Sequence, residues 1–371
     1  MNALPLNKHQ VVRLSLRLLL LVLAIAASAC TEPNTLDKQW RDYHNRLERV
    51  LQRKSTALEQ VNFPRLPRTR DVDLEFHNSG IDLLDFLRLR NCALRDTIAQ
   101  RNSILGRHAD AASRLIFDLR FISQTPACLQ TLENEGLGEL AAQLRSAAEL
   151  KRKELPARIF SASFIGPEFR ELWHQPMSLS HYPLSGKDPS IAALARWQDW
   201  QGQWLNQPQA MAQWSSSVWQ EYSNAILSTL GEIRLGNGGS LIAAQLINLK
   251  GLTTASDIIQ QRIKGRPLCL KPSPVPAAEH FRGALGSVFI DQLQKQASAI
   301  NQHQFALMEI IAETENTLLA AMNTNDLSIP AAFIGWQTER DTLLTAAKNA
   351  QREHVRLAEK LLSQCGLQPG N

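Results

Sequence analysis

The stretch Thr324–Leu362, TNDLSIPAAFIGWQTERDTLLTAAKNAQREHVRLAEKLL, decides the fold class. Trp336, Leu343, Ala347, Ala350, Leu357 and Leu361 recur at steps of three, four or seven residues, the spacing that keeps apolar side chains on one helical seam. Ser328 is placed to cap the helix and Pro330 to open its first turn, so the pattern predicts a helix over 331–364. Upstream, residues 278–323 carry a second unbroken helical pattern. At the rise of an α-helix the two would reach roughly 69 Å and roughly 51 Å. A connection as short as TNDLSIP turns them back on each other as an antiparallel hairpin, and the seam alanines allow close approach.

Working outward from that hairpin, most of the chain reads as helix. Leu36, Trp40, Tyr43, Leu47, Val50 and Leu51 form the apolar stripe of a helix over 35–61, which the prolines of FPRLPRTRD stop. A second helix is expected over 81–105 with Leu84, Leu87, Leu94, Ile98 and Leu105 inward and Gly106 as its stop, and a third over 110–124 ended by Pro126. Residues 130–154 supply one or two more, and Ala157–Trp173 reads as an extended crossing segment with a short helix from Pro167. Helices resume over 190–206, 209–235, 240–249 and 254–263. The expectation is an all-α, elongated multi-helix bundle with a long C-terminal antiparallel helical hairpin. Pro176 and Pro189 bracket a loop that divides residues 30–180 from 181–371, as two helical halves or one continuous domain.

The first thirty residues read as a label. Lys8, Arg13 and Arg17 precede an uncharged apolar run, Leu18–Ala27, about half the length that spans a bilayer. Ala27, Ser28 and Ala29 then lead into Cys30, as in the lipobox of bacterial lipoproteins, although leucine is commoner where Ala27 stands. This predicts a lipoprotein signal peptide over 1–29, acylation of Cys30 and a permanent hold on the lipid bilayer. By resemblance to enterobacterial sorting, Thr31 after the cysteine points to the outer membrane, with the body in the periplasm.

That address changes the charge balance. The precursor has 40 basic and 35 acidic residues, but the label removes three basic residues and no acidic one, which leaves near neutrality. Nucleic-acid binding needs clustered positive charge, and the short basic stretches PRLPRTR and KRK, at 64–70 and 151–153, read as solvated linkers and faces. Beyond Cys30 an even set remains, Cys92, Cys128, Cys269 and Cys365, which an oxidising compartment converts to disulfides. Three pairings are possible. Cys92–Cys128 across the earlier helices and Cys269–Cys365, reached by the strip 270–277 folding back along the last helix, join neighbours without crossing.

The runs IDLLDFLRLRNCALRDTIAQRNSILGR, SRLIFDLRFI and FIGPEFRELW resemble an uncharacterised family of proteobacterial lipoproteins, domain of unknown function 3080. The resemblance covers nearly all of the chain after the label. It implies an exported helical protein and carries no activity, cofactor or catalytic residue. Its recurrent positions here are Cys92, Arg101, Asn102, Gly106, Gly166, Pro167, Glu168 and Phe169.

Chemistry is sparse in this sequence. The nine histidines show no metal-binding spacing, and His174 and His181 merely flank a loop, so no metal or cofactor is expected. Ser240 in GNGGSL reads as a turn and helix cap rather than a phosphate loop. Glu168 and Glu171 read as the acidic first turn of a helix. The unusual feature is Trp197, Trp200, Trp204, Trp214 and Trp219, a core stripe or a face for a ligand or partner. The resulting expectation is a membrane-tethered envelope lipoprotein, non-catalytic, that contacts or helps assemble an envelope protein. Peptidoglycan binding or modification and carriage of a hydrophobic ligand are the alternatives.

Overall fold

The computed structural model describes residues 35–55, 61–77, 88–183, 186–207, 210–212 and 214–367. The label, Cys30, Leu84 and Leu87 lie outside the described residues. Within them the chain is all helix and connection: α1 (Leu36–Leu51), α2 (Leu94–Asn102), α3 (Ile104–Arg107), α4 (Ala111–Asn134), α5 (Gly138–Ala162), α6 (Pro167–Leu172), α7 (Pro189–Asn206), α8 (Ser216–Arg234) and α9 (Gly238–Lys264). Then α10 (Pro276–Ala284) continues through a π-helical stretch, Leu285–Gln294, into α11 (Lys295–Thr324), and α12 (Ala331–Ser363) follows. None of the described helices is long and apolar enough to cross a membrane.

Several helices outrun their local signals. α4 passes through Pro126 and α5 through Pro156, so neither the expected stop at Pro126 nor the extended segment after Ala157 is found. Around Pro126, which removes a ladder donor, Ser123 Oγ and Thr125 Oγ1 donate to Arg120 O and Phe121 O at 3.0 and 2.7 Å. Packing of α4 on α5 buries Leu119, Ile122, Leu144 and Leu155, and this tertiary gain overrides the local penalty. The segments 240–249 and 254–263 are one helix, α9. α1 ends ten residues early, at Leu51. Leu105, expected inward, is exposed, and Gly106 lies within α3 rather than ending a long helix.

The last helix keeps its seam but changes its partner. Trp336, Leu343, Ala347, Leu357 and Leu361 are buried, and α12 packs most extensively on α9 rather than on α11. α9 and α12 run in the same direction: Gly238 abuts Trp173, which meets Trp336, and Ser256 Oγ lies 3.3 Å from His354 Nδ1 further along. Both helices therefore finish together, which brings Cys269 and Cys365 to a Cα separation of 5.1 Å in a disulfide. The pairing is the expected one, but parallel helix ends create it, not a strip folding back. α11 and α12 meet through long side chains instead, Glu315 with Arg340 and Asn301 with Gln351. The expected cap does not form, since Pro330 occupies the N-cap and no side chain, Ser328 included, bonds there.

One large buried cluster draws on residues from Leu36 to Cys365 and so lies on both sides of residue 180. A smaller cluster surrounds the second disulfide, Cys92–Cys128, with Leu89, Leu94, Phe121, Leu132, Leu140 and Leu144. In the chain-entropy picture the closed loops, with separations of 36 and 96 residues, restrict the unfolded chain by about 3.8 and about 4.7 kcal/mol.

The main core contains charge. Arg340 is fully buried, and its Nη1 and Nη2 donate to the two oxygens of Glu315 at 2.8 Å each. Its guanidinium lies 5.2 Å from the ring centre of Trp173 and 4.9 Å from that of Trp336. Trp336 Nε1 donates to Pro64 O, so the strap 61–77 is pinned over the same point. A second buried polar group, His354, lies between Tyr43 Oη at 3.0 Å, Ser256 and Phe289 of the π-helical stretch. Burial, with a smaller contribution from His44, holds its pKa down at about 3.

Two outcomes follow. Arg340→Met strands the Glu315 carboxylate and should cost about 3–5 kcal/mol in urea unfolding, while Arg340→Met with Glu315→Leu should regain most of that loss. The unfolded chain takes up a proton on His354 below its ordinary pKa and the folded chain does not until about pH 3, so the stability it contributes is complete above about pH 6.5. It is lost as the pH falls, at about 1.4 kcal/mol per unit. His354→Gln should flatten that slope in unfolding midpoints measured from pH 7 to pH 4.

Candidate functional site

Of the two readings of the tryptophans, core stripe or outward face, the structure places them mostly in the core. Trp197, Trp204 and Trp219 are buried, with Trp197 edge-on to Trp204 at 5.3 Å and to Phe169 at 6.1 Å. Trp200 and Trp214 are half-buried and lean on Tyr222, whose hydroxyl accepts from Trp204 Nε1. Helical spacing did place Trp197, Trp200 and Trp204 together, but α8 covers them, and no five-ring platform faces outward.

The other candidates resolve as structure. Gly239 sits where any side chain would strike His174 O, with an ideal Cβ only 1.8 Å away, so GNGGSL serves close packing on the Trp173–His174 backbone. Ser240 lies inside α9, whose N-cap is Asn237. His174, His181 and Glu171 are exposed, and Glu168 is half-buried on α6. Among the described residues no cluster of His, Cys, Asp or Glu could hold a metal ion. Gly106 is packed against Gln100 O and Arg101 O, and its own carbonyl accepts from Arg101 Nη1 at 3.0 Å. The motif positions Arg101, Asn102 and Gly106 thus build one corner, where α2 turns into α3.

That corner opens onto a cleft of about 860 Å³, walled by the strap at 73–77, α2, α3, α4 and α5. Its charges arise from local helix geometry. Arg107, Arg114 and Asp118 come from the end of α3 and successive turns of α4, while Lys151 and Arg158 stand seven residues apart on the facing side of α5. Asp118 is buried and ion-paired with Lys151 Nζ and with Arg158 Nε, the latter at 3.0 Å. Glu154, also buried, accepts from His77 N at 2.9 Å, lies 2.8 Å from His77 Nδ1 and 4.0 Å from Arg158 Nη2. Phe76 lies flat beneath Arg158, with the guanidinium carbon 3.4 Å from its ring centre, and Lys151 sits 5.2 Å from the ring of Phe121.

Positive charge exceeds negative here. Arg101, Arg107, Arg114, Lys151 and Arg158 line the cleft against Asp73 and Asp118, with Glu154 behind them. Burial lowers the pKa of Arg158; Asp118 and Glu154 pull it back up, and the neighbouring Arg101 and Arg114 push it down again. Arg101, Arg107 and Arg114 donate only to backbone carbonyls among the described residues, at Gly106, Asn102 and Arg107. Arg114 Nε is buried with no hydrogen-bond partner among the described residues. The KRK stretch, expected on a solvated face, instead sends Lys151 into this cleft. The i, i+4 pair Arg114 and Asp118 in SRLIFDLRFI, and the seven-residue step from Lys151 to Arg158, were the sequence signals of the site.

A family model described as "Protein of unknown function (DUF3080)" matches residues 40–369. No curated protein and no solved structure matches the chain. The match spans most of the sequence, and the chain belongs to the DUF3080 family.

Proposed function

We propose that this chain is a membrane-tethered lipoprotein of the cell envelope, held at the outer membrane through acylated Cys30, that works by binding a partner rather than by catalysis. The observation that carries the binding role is the cleft's surplus of positive charge among the described residues. Asp118 and Glu154, the carboxylates that could act as acid and base, are each tied to cations. The arginines without a carboxylate partner among the described residues form a recognition surface, and its concave shape suits a compact anionic group better than a nucleic-acid backbone. The tether favours the same reading. Only six residue steps separate Cys30 from Leu36 at the start of α1, a reach of at most about 20 Å, so the body works close to the bilayer.

A second, peptidoglycan-binding reading has one observation in its favour. Phe305 is 72 % exposed, and it borders a notch with Gln294, Ser298, Asn301, Gln302 and Gln351, a ring face beside amides that suits a sugar.

Intact-mass measurement of the exported protein should give a chain that begins at Cys30 and carries acyl groups, and Cys30→Ser should remove it from the membrane fraction; an unmodified chain beginning elsewhere sinks the tether. A photoreactive residue at Phe117, inside the cleft, should cross-link a specific envelope component in cells, while one at Lys264 on the far end of α9 should not.

A further inference from the structure

We infer that the cleft is a phosphate-binding site that takes a phosphomonoester group, supplied either by a free phosphorylated solute or by a lipid headgroup. This rests on the reading of the cleft as the binding site. The assignment comes from the number, type and direction of its donors. Arg101 from α2, Arg107 from α3, Arg114 from α4 and Arg158 from α5 reach one cavity from four elements. A carboxylate presents two oxygens in one plane and is saturated by one or two guanidinium forks. A phosphate presents three free oxygens in a tetrahedral fan, which accommodates forks from several sides.

The charge agrees. Among the described residues five cations face the carboxylates Asp73, Asp118 and Glu154, an excess of two, and a phosphomonoester carries between about −1.5 and −2 near neutral pH. Arg114 Nε, in this group of arginines, is one of several buried polar atoms without a hydrogen-bond partner among the described residues. Asn102 on the rim is an exposed amide donor, and Phe117 on α4 supplies an apolar wall for whatever the phosphate is attached to. The internal pairs have a separate role. Lys151 and Arg158 are anchored by Asp118 and stacked on Phe121 and Phe76, so these long side chains are already ordered before a ligand arrives.

The test is isothermal titration calorimetry on the full chain in a non-ionic detergent at matched ionic strength. The probes are glycerol 3-phosphate, monomeric dihexanoyl phosphatidic acid, sodium sulfate and sodium acetate. Saturable binding of glycerol 3-phosphate or the phosphatidic acid, at least tenfold tighter than sulfate or acetate, is expected. Equal affinity for the two phosphates identifies the free group as ligand, and a tenfold preference for the phosphatidic acid identifies a lipid headgroup. Arg101→Ala with Arg114→Ala should weaken binding tenfold or more. Asn102→Asp, an exposed change that adds one negative charge without touching the core, should do the same while leaving the thermal midpoint unaltered. Arg145→Ala, outside the cleft, should have no effect. Phosphate binding no tighter than sulfate, or equally weakened by Arg145→Ala, overturns the assignment. A chain that cross-links from Phe117 yet binds neither phosphate keeps the cleft as a binding site and overturns its phosphate chemistry.

Discussion

The architecture depends on one buried ion pair. Arg340 and Glu315 are enclosed in the main core, and four segments converge on them: α11 and α12 through the pair itself, the loop after α6 through Trp173, and the strap through Pro64 and Trp336. Charges this deep gain stability only when their geometry is satisfied, and here both carboxylate oxygens and the guanidinium faces are engaged. α11 and α12 need not approach closely along their length because the long arginine spans the distance between them. The space so defined lets α9 take the close-packed position against α12, with α1 laid over α9 through Trp40 and Asn248. Specificity of helix arrangement thus rests on a polar contact, while the apolar seams supply most of the burial.

A related device fixes the loop before α7. The Asp188 side chain is fully enclosed, and it accepts from Ser190 N and Oγ, from Asn237 N and from His303. Burial alone would raise its pKa, but these hydrogen bonds outweigh that and hold it at about 2. Tyr182 extends the chain of contacts to the other nitrogen of His303, at 2.7 Å. The group joins α7, the start of α9 and α11, and every partner of Asp188 is a structural neighbour. The cationic cleft differs in this respect, since Arg101, Arg107 and Arg114 meet only backbone carbonyls among the described residues. Glu315 and Asp188 are satisfied within the core, whereas the cleft carries a surplus of cations among the described residues.

The sequence made the helical class legible because the seam in α12 and the stripe in α1 are long and regular. Both survive in the structure as buried faces. Helix ends were less legible. Pro126 and Pro156 carry strong local stop signals, and the packing of α4 on α5 outweighs them. The partner of α12 was hidden for another reason: periodicity reports that a face is buried, not what buries it. Cys269 and Cys365 were correctly paired although the helices beside them are parallel neighbours rather than a folded-back strip. The site was partly visible in its motif residues Arg101, Asn102 and Gly106. Its remaining members, Lys151 and Arg158 among them, are brought opposite α4 only by the α4–α5 turn, and charged residues on a helix give no sign of which face will be covered.

The Cys269–Cys365 bond has a mechanical meaning. It closes a covalent ring that includes α10, the π-helical stretch, α11, the Thr324–Pro330 connection and α12. A protease that nicks any exposed bond within that ring leaves both pieces fastened to the same end of the molecule. Damage there is held in place: a cut that would free the C-terminal piece of an unbridged chain leaves it covalently attached.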